Sequence, residues 1–158
     1  MSEIKEAIAA VKSEGKRIVF TNGVFDILHL GHVTYLEEAA ELGDFLIVGI
    51  NDDASVKRLN KGPERPINDE EARAGVVAAL RVVDAVVVFG EDTPFELIQL
   101  IEPDILVKGG DYDAAERDPR KSNYIVGSNE TLERGGEVVA IPVVEGYSTT
   151  SIVQKMRQ

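Results

Sequence analysis

Thr21-Asn22-Gly23-Val24-Phe25-Asp26-Ile27-Leu28-His29-Leu30-Gly31-His32 is the stretch on which the reading of this chain turns. It follows Ile18-Val19-Phe20, an apolar run that reads as a buried strand. It precedes Val33 to Leu42, where Val33, Leu36 and Ala40 recur at helical spacing. The stretch is therefore a strand-to-helix crossing. Both histidines of the chain lie in it, separated by Leu30 and Gly31.

The first turn of a helix presents unpaired backbone N–H groups and a partial positive charge, which favour anions such as phosphate. His32 falls at that helix start and His29 just before it. Gly31 removes a side chain where a ligand would otherwise clash. Two imidazoles and a set of N–H groups can together grip a phosphate, which is more than two turn histidines donating to carbonyls would need.

Composition narrows the setting. A chain of 158 residues, 44% hydrophobic and 28% charged, predicts one globular domain with a core of ordinary size. A net charge of −11 argues against nonspecific binding to nucleic acid or to an anionic membrane. With no cysteine, disulfides and thiolate metal sites are excluded. No signal-like segment and no apolar run of about 18 residues is visible, so a cytoplasmic location is expected.

Working outward, Ser2 to Glu14 carries Ile4, Ala7, Ile8 and Val11 on one face and reads as an N-terminal helix closed at Gly15. Phe45 to Ile50 is a second strand, apolar throughout as in a parallel sheet. Asn51-Asp52-Asp53 sits at its carboxyl end, where ligands bind in open α/β sheets; Asp52 is equally a cap for the next helix. Ser55 to Pro66 reads as a loop, with Lys57, Arg58, Lys61 and Arg65 gathering positive charge in an acidic chain, as a triphosphate would require. Asn68 with Glu71 predicts a capped helix whose face is Ala72, Val76, Ala79 and Leu80. Arg73 lies near its start, either pairing with a neighbouring carboxylate or contacting phosphate.

Val82 to Phe89 predicts the third strand, and Thr93-Pro94-Phe95-Glu96 a helix start with Thr93 as N-cap and Pro94 in the first position. Ile105 to Lys108 predicts the fourth strand, followed by Gly109-Gly110-Asp111, whose glycines permit close backbone approach to a base or ribose. Asp113 to Asn123 is polar and reads as a mobile surface loop. Tyr124 to Arg134 reads as a helix, Glu137 to Ile141 as the fifth strand, and Ser148-Thr149-Thr150 as the hydroxyl-rich start of a final helix, a second anion site. The alternation predicts a single Rossmann-like α/β domain over 1–158, with a five-stranded, mainly parallel sheet, helices on both faces and right-handed crossovers. G-x-G-x-x-G and G-x-x-x-x-G-K-[ST] are both absent, which disfavours a dehydrogenase and a P-loop kinase.

The motif T-N-G-V-F-D-I-L-H-L-G-H resembles the signature of the HxGH nucleotidyltransferases, the cytidylyltransferase-like group. Asn51-Asp52-Asp53, Lys108-Gly109-Gly110-Asp111-Tyr112 and Glu145-Gly146-Tyr147-Ser148-Thr149-Thr150 extend the likeness in order along the chain. Within the group the likeness lies nearest to the heptose-1-phosphate adenylyltransferases. The resemblance implies transfer of AMP from ATP to a sugar phosphate, with His29, His32 and Lys57 catalytic. It places Thr21, Asn22, Gly23, Phe25, Gly31, His32, Lys108, Gly109, Asp111, Tyr147, Ser148, Thr149 and Thr150 at the nucleotide. It assigns Asp26, Asn51, Asp53, Arg58, Lys61, Arg65 and Arg73 to the substrate, Asp26 either orienting a histidine or assisting the metal. Magnesium is expected, held mainly by the nucleotide phosphates. A homodimer, and a sugar kinase as a separate protein, are implied too.

Two departures matter. The 113–123 segment delays the helix that normally follows the fourth strand. Val143 stands where glycerol-3-phosphate cytidylyltransferases carry an arginine ahead of Glu145, which weakens a CTP-dependent alternative. A noncatalytic nucleotide-binding module is the other alternative, and the intact H-x-G-H and S-T-T motifs count against it.

Overall fold

Five apolar runs form five strands: β1 (Ile18–Gly23), β2 (Phe45–Asn51), β3 (Ala85–Phe89), β4 (Ile105–Gly109) and β5 (Glu137–Ile141). They make one sheet in the order β3-β2-β1-β4-β5, and all four neighbouring pairs are parallel. The structure, a computed structural model, describes residues 2–60 and 62–156. Its helices are α1 (Ser2–Ser13), α2 (Leu30–Ala40), α3 (Asp53–Arg58), α4 (Glu70–Ala78), α5 (Phe95–Ile101), α6 (Ser128–Glu133) and α7 (Thr149–Met156).

The two faces of the sheet bury separate sets of alternating side chains. Val19, Val48, Ile50, Ile105 and Val107 pack with Leu36 and Ala39 of α2 and Val77 of α4. Ile18, Phe20, Ile47 and Leu106 pack with Ile8 of α1 and Leu97, Ile98 and Ile101 of α5. The expected fold class, with helices on both faces, is what the sheet and its two cores display.

The lower edge of the sheet is fastened by aspartates. Asp104 accepts from the Ile18 N–H at 2.7 Å, Asp84 from Leu46 N–H at 2.8 Å, and Asp44 from Arg17 N–H at 2.9 Å. Each satisfies a donor at or beside a strand's first residue.

Local structure departs from the sequence reading in several places. β1 continues through Thr21 to Gly23, so the motif's first three residues belong to the strand. The expected loop 55–66 contains the end of α3, because Asp52 caps it by accepting from Ser55 N–H at 2.6 Å. Asp69, not Asn68, is the N-cap of α4, accepting from Ala72 N–H at 2.8 Å. The buried positions of α4 are Arg73 and Val77, while Val76 is 51% exposed, so the helix is rotated from the expected face. β3 begins at Ala85 rather than Val82, since Asp84 turns to bond β2. Pro94 takes the N-cap position of α5 in place of Thr93. α6 begins at Ser128, because Gly127 adopts a positive φ of 83° and Tyr124 and Ile125 are buried ahead of it. The 113–123 segment is closed at its ends by a bond from Asp113 N–H to Asn123 O at 2.9 Å. Lys61 lies outside the described residues.

A buried polar cluster ties the segment before α4 to the end of β1. The Asp26 carboxylate, with no side-chain exposure, accepts from the N–H groups of Ile67 and Asn68 at 2.9 Å each and pairs with Arg65. Asn68 Nδ2 donates back to Asp26 O. The Arg73 guanidinium, also fully buried, donates to Val24 O at 2.9 Å, Asn68 O at 3.0 Å and Asp53 at 2.7 Å. Every acceptor it needs comes from a different segment.

Removing one partner of a buried ion pair leaves the other charge uncompensated, at a cost of about 3–5 kcal/mol. Asp26→Ala is therefore expected to lower unfolding free energy by roughly that amount, measured by urea denaturation. Asp26→Asn, which keeps an acceptor for the two N–H groups, should lose less.

Candidate active site

The carboxyl ends of β1 and β4 diverge at the point where the chain's direction across the sheet reverses, and a cleft of about 640 Å³ opens there. His29 is the residue before α2, in extended conformation (φ −142°, ψ 172°), and its side chain makes no capping bond. Its ring is thus left to the cleft. The His29 and His32 rings are stacked, centroids 3.8 Å apart and planes 19° from parallel. Phe25 packs against His32 at 5.1 Å between centroids. Phe25 itself holds a positive φ of 49°, a conformation rare for a residue with a bulky side chain. Partial burial holds the His29 imidazole below the usual histidine range, favouring its neutral form near pH 7.

Glycines set the close contacts. A Cβ on Gly31 would lie 3.0 Å from the His29 ring and 3.2 Å from Tyr147 Cβ. A Cβ on Gly109 would lie 2.9 Å from the Tyr35 ring. Beneath this, Tyr35 and Thr21 share a hydrogen bond of 2.5 Å between hydroxyls, and burial pushes the Tyr35 hydroxyl well above its usual range. Lys108 Nζ donates to Asn22 O at 3.1 Å and Asn22 Oδ1 at 3.0 Å, and lies 5.3 Å from the Tyr112 ring centroid. On the far wall, Ser148 Oγ accepts from Ser151 N–H at 3.0 Å, which caps α7.

Of the residues singled out from sequence, Asn22, Gly23, Phe25, Asp26, His29, Gly31, His32, Arg65, Lys108, Gly109, Tyr147, Ser148, Thr149 and Thr150 all line this one cleft. Others lie elsewhere. Thr21 is buried below the floor. Lys57 is exposed on the last turn of α3, and Asp111 is exposed on the turn after β4; neither lines the cleft. Arg58 donates to Asp92 and to Gly90 O instead. Asp53 is engaged with Arg73, and Asn51 donates to Ser55 Oγ at 2.9 Å. The alternatives left open for Arg73 resolve to a carboxylate partner: it pairs with Asp53, but inside the fold rather than on the surface.

The sequence reading did not place Val24, Tyr35, Tyr112, Val143 or Val144 among the site residues, and all five line the cleft. Tyr35 follows His32 by one helical turn, the one signal that could have found it.

The only carboxylate among the lining residues is Asp26, and it is fully engaged in the cluster described above. Among the described residues no group of three or more His, Cys, Asp or Glu could hold a metal ion. No helix among the described residues is long and apolar enough to cross a membrane.

Comparison with known proteins agrees with this geometry. A family profile described as cytidylyltransferase-like matches residues 20–155. The chain is 57% identical over 155 residues to the "Bifunctional protein HldE" of a Nitratiruptor species, covering 98% of this chain and 31% of that protein. It is 52% identical to the protein of the same name from Klebsiella pneumoniae subsp. pneumoniae, over 99% of this chain and 31% of that one. The chain thus spans under a third of the length of these curated relatives. Among solved structures, the lipopolysaccharide core biosynthesis protein from Thermoplasma volcanium superposes with a TM-score of 0.62 at 33% identity, covering 85% of this chain and all of that one. Pantothenate synthetase from Thermus thermophilus, at 17% identity and a TM-score of 0.56 over 92% of this chain and 65% of that one, shares the fold. With the profile spanning nearly the whole chain and the paired histidines at the mouth of β1, the chain belongs to the cytidylyltransferase-like family.

Proposed function

We propose that this chain transfers AMP from ATP to a sugar phosphate, heptose 1-phosphate in the reading that the sequence resemblance favours. The observation that carries it is the stacked His29–His32 pair, set at a helix start and facing Ser148 to Thr150 across one cleft. The name of the Thermoplasma relative, a lipopolysaccharide core biosynthesis protein, is in keeping with an envelope sugar as acceptor.

In this reading an oxygen of the sugar phosphate attacks the α-phosphorus of ATP. The new P–O bond forms as the bond to the bridging oxygen of the β-phosphate breaks, and the electron pair leaves with pyrophosphate. The nucleophile is already anionic, so no side chain need remove a proton. Alignment and charge stabilisation supply the rate. His29 and His32 donate to the phosphate oxygens as charge builds at phosphorus. The Thr149 and Thr150 hydroxyls and the first N–H groups of α7 hold the outer phosphates. Arg65, held at the cleft wall by its ion pair with Asp26, would offer its remaining guanidinium N–H donors to a phosphate oxygen. Lys57, exposed outside the cleft, would have to reach the phosphates from α3. Magnesium, when bound, would neutralise phosphate charge, with phosphate oxygens and water as its expected ligands.

The same reading takes the protein as a cytoplasmic homodimer. Val143 in place of an arginine, at the cleft wall, favours ATP over CTP.

Pyrophosphate release measured with ATP and with CTP across a panel of sugar phosphates tests the reading. ATP with heptose 1-phosphate is expected to turn over, and release with no acceptor in the panel would sink it. His32→Ala should lower kcat by about 10²–10³-fold, the usual cost of losing one preorganised donor. A phosphate beside His29 favours its charged form, whereas burial in the free protein disfavours it. The His29 pKa should therefore rise on ATP binding, with proton uptake near pH 7 and tighter binding as pH falls toward 6.5, the usual histidine value. Calorimetry in buffers of differing ionisation enthalpy should show that uptake, and His29→Gln should abolish most of it.

A further inference from the structure

We infer, on the nucleotidyl-transfer reading, that Tyr35 is a positioning residue: its side chain braces the splayed ends of β1 and β4 and thereby fixes where α2 holds His32.

The ladder between β1 and β4 is short. Its register covers only Val19 opposite Ile105 and Phe20 opposite Leu106. β1 then runs on through Thr21, Asn22 and Gly23, and β4 through Val107, Lys108 and Gly109. On their outer sides β1 stays paired with β2 as far as Gly23, and β4 with β5 as far as Gly109. The two strands therefore part after Phe20 and Leu106, each following its other neighbour, and the cleft opens in the gap. No backbone ladder sets the width of that gap, so side chains must.

Two side chains cross it. Lys108 reaches over to Asn22. Tyr35 enters from the layer of α2. Alternation along the strands turns Val19 and Thr21 of β1, and Ile105, Val107 and Gly109 of β4, toward that layer. The Tyr35 hydroxyl lies 2.5 Å from Oγ1 of Thr21, which is fully buried. Its ring lies against Gly109, where a Cβ would come within 2.9 Å of it. One side chain thus joins α2, β1 and β4.

Tyr35 follows His32 by one turn on the same side of α2. Leu36 and Ala39 seat the later turns of the helix in the core, whereas no residue from Leu30 to Tyr35 is fully buried. The seat of the histidine-bearing turn is therefore Tyr35, and a shift of its ring carries His32 along. The phenol itself is not placed for chemistry. Its hydroxyl is turned to Thr21 beneath the cleft floor, and burial keeps it protonated at neutral pH. A displacement of about 1 Å at a reacting group can cost about 10²-fold in rate, so a brace at this point has kinetic consequences without touching phosphorus.

Three variants separate positioning from plain stability. Tyr35→Phe and Thr21→Val each leave a buried hydroxyl without its partner. Both should lower the thermal midpoint and lower kcat for pyrophosphate release about 10-fold, a fraction of the loss for a full displacement. The double variant Thr21→Val/Tyr35→Phe removes both hydroxyls at nearly constant shape, a change close to neutral for stability. Its thermal midpoint should return near that of wild type, while kcat stays about 10-fold down and the KM for ATP stays within about twofold. The chain has only two histidines, so imidazole proton spectra report on each of them directly. The His32 signals of the double variant should be displaced from their wild-type positions. Recovery of kcat together with the thermal midpoint, an unchanged kcat in the single variants, or unmoved His32 signals would overturn the assignment and leave the transferase reading intact. A wild-type chain that releases no pyrophosphate with any acceptor would instead remove that reading, and the inference with it.

Discussion

A parallel sheet ordered β3-β2-β1-β4-β5 has one place where neighbouring strands send their chains in opposite directions, between β1 and β4. No crossover can cover that junction, so a crevice is left above it. The remaining features of the molecule answer to this constraint. The histidine pair leaves β1 there, Lys108 and Gly109 rise from β4 beside it, and the start of α7 closes the opposite side. Residues more than a hundred positions apart in sequence meet because the topology leaves them nowhere else to go.

The crevice would be a poor binding site if its rim were loose. Two fully buried charged side chains counter that. Asp26 collects the backbone of residues 67 and 68 and the side chain of Arg65, and Arg73 spans from α4 to the end of β1. Buried charges are tolerated only when fully partnered, and here the partners are mostly backbone atoms of the rim itself. The cluster thus converts electrostatic demand into a fixed position for Arg65 at the cleft wall.

The strands were legible because burial on both faces leaves an unbroken apolar run, as in Phe45 to Ile50. The histidine motif was legible because its spacing and its strand-to-helix context coincide. Arg73 was not, because its acceptors include Val24 O, far away in sequence, and no local pattern announces a buried arginine. The face of α4 was misjudged for the same reason: with Arg73 counted as polar, the stripe was drawn through Val76 rather than Val77. α3 was hidden by the glycine and prolines that follow it, although the cap at Asp52 was readable. The start of α6 depended on the left-handed backbone of Gly127, whose absent Cβ leaves room for Ile98. Tertiary contacts, more than local propensity, decided each of these.

Gly31 acts as a gauge between two parts that must not drift. The imidazole of His29 stands on one side of it and Cβ of Tyr147 on the other, with clearance for a hydrogen atom and little else. The gap therefore sets how far the C-terminal wall can lean toward the histidines. Enlarging this residue by one methyl would act as a shim, widening the jaws and moving the hydroxyls of Thr149 and Thr150 out of alignment with the imidazoles, though no contacting group had been changed.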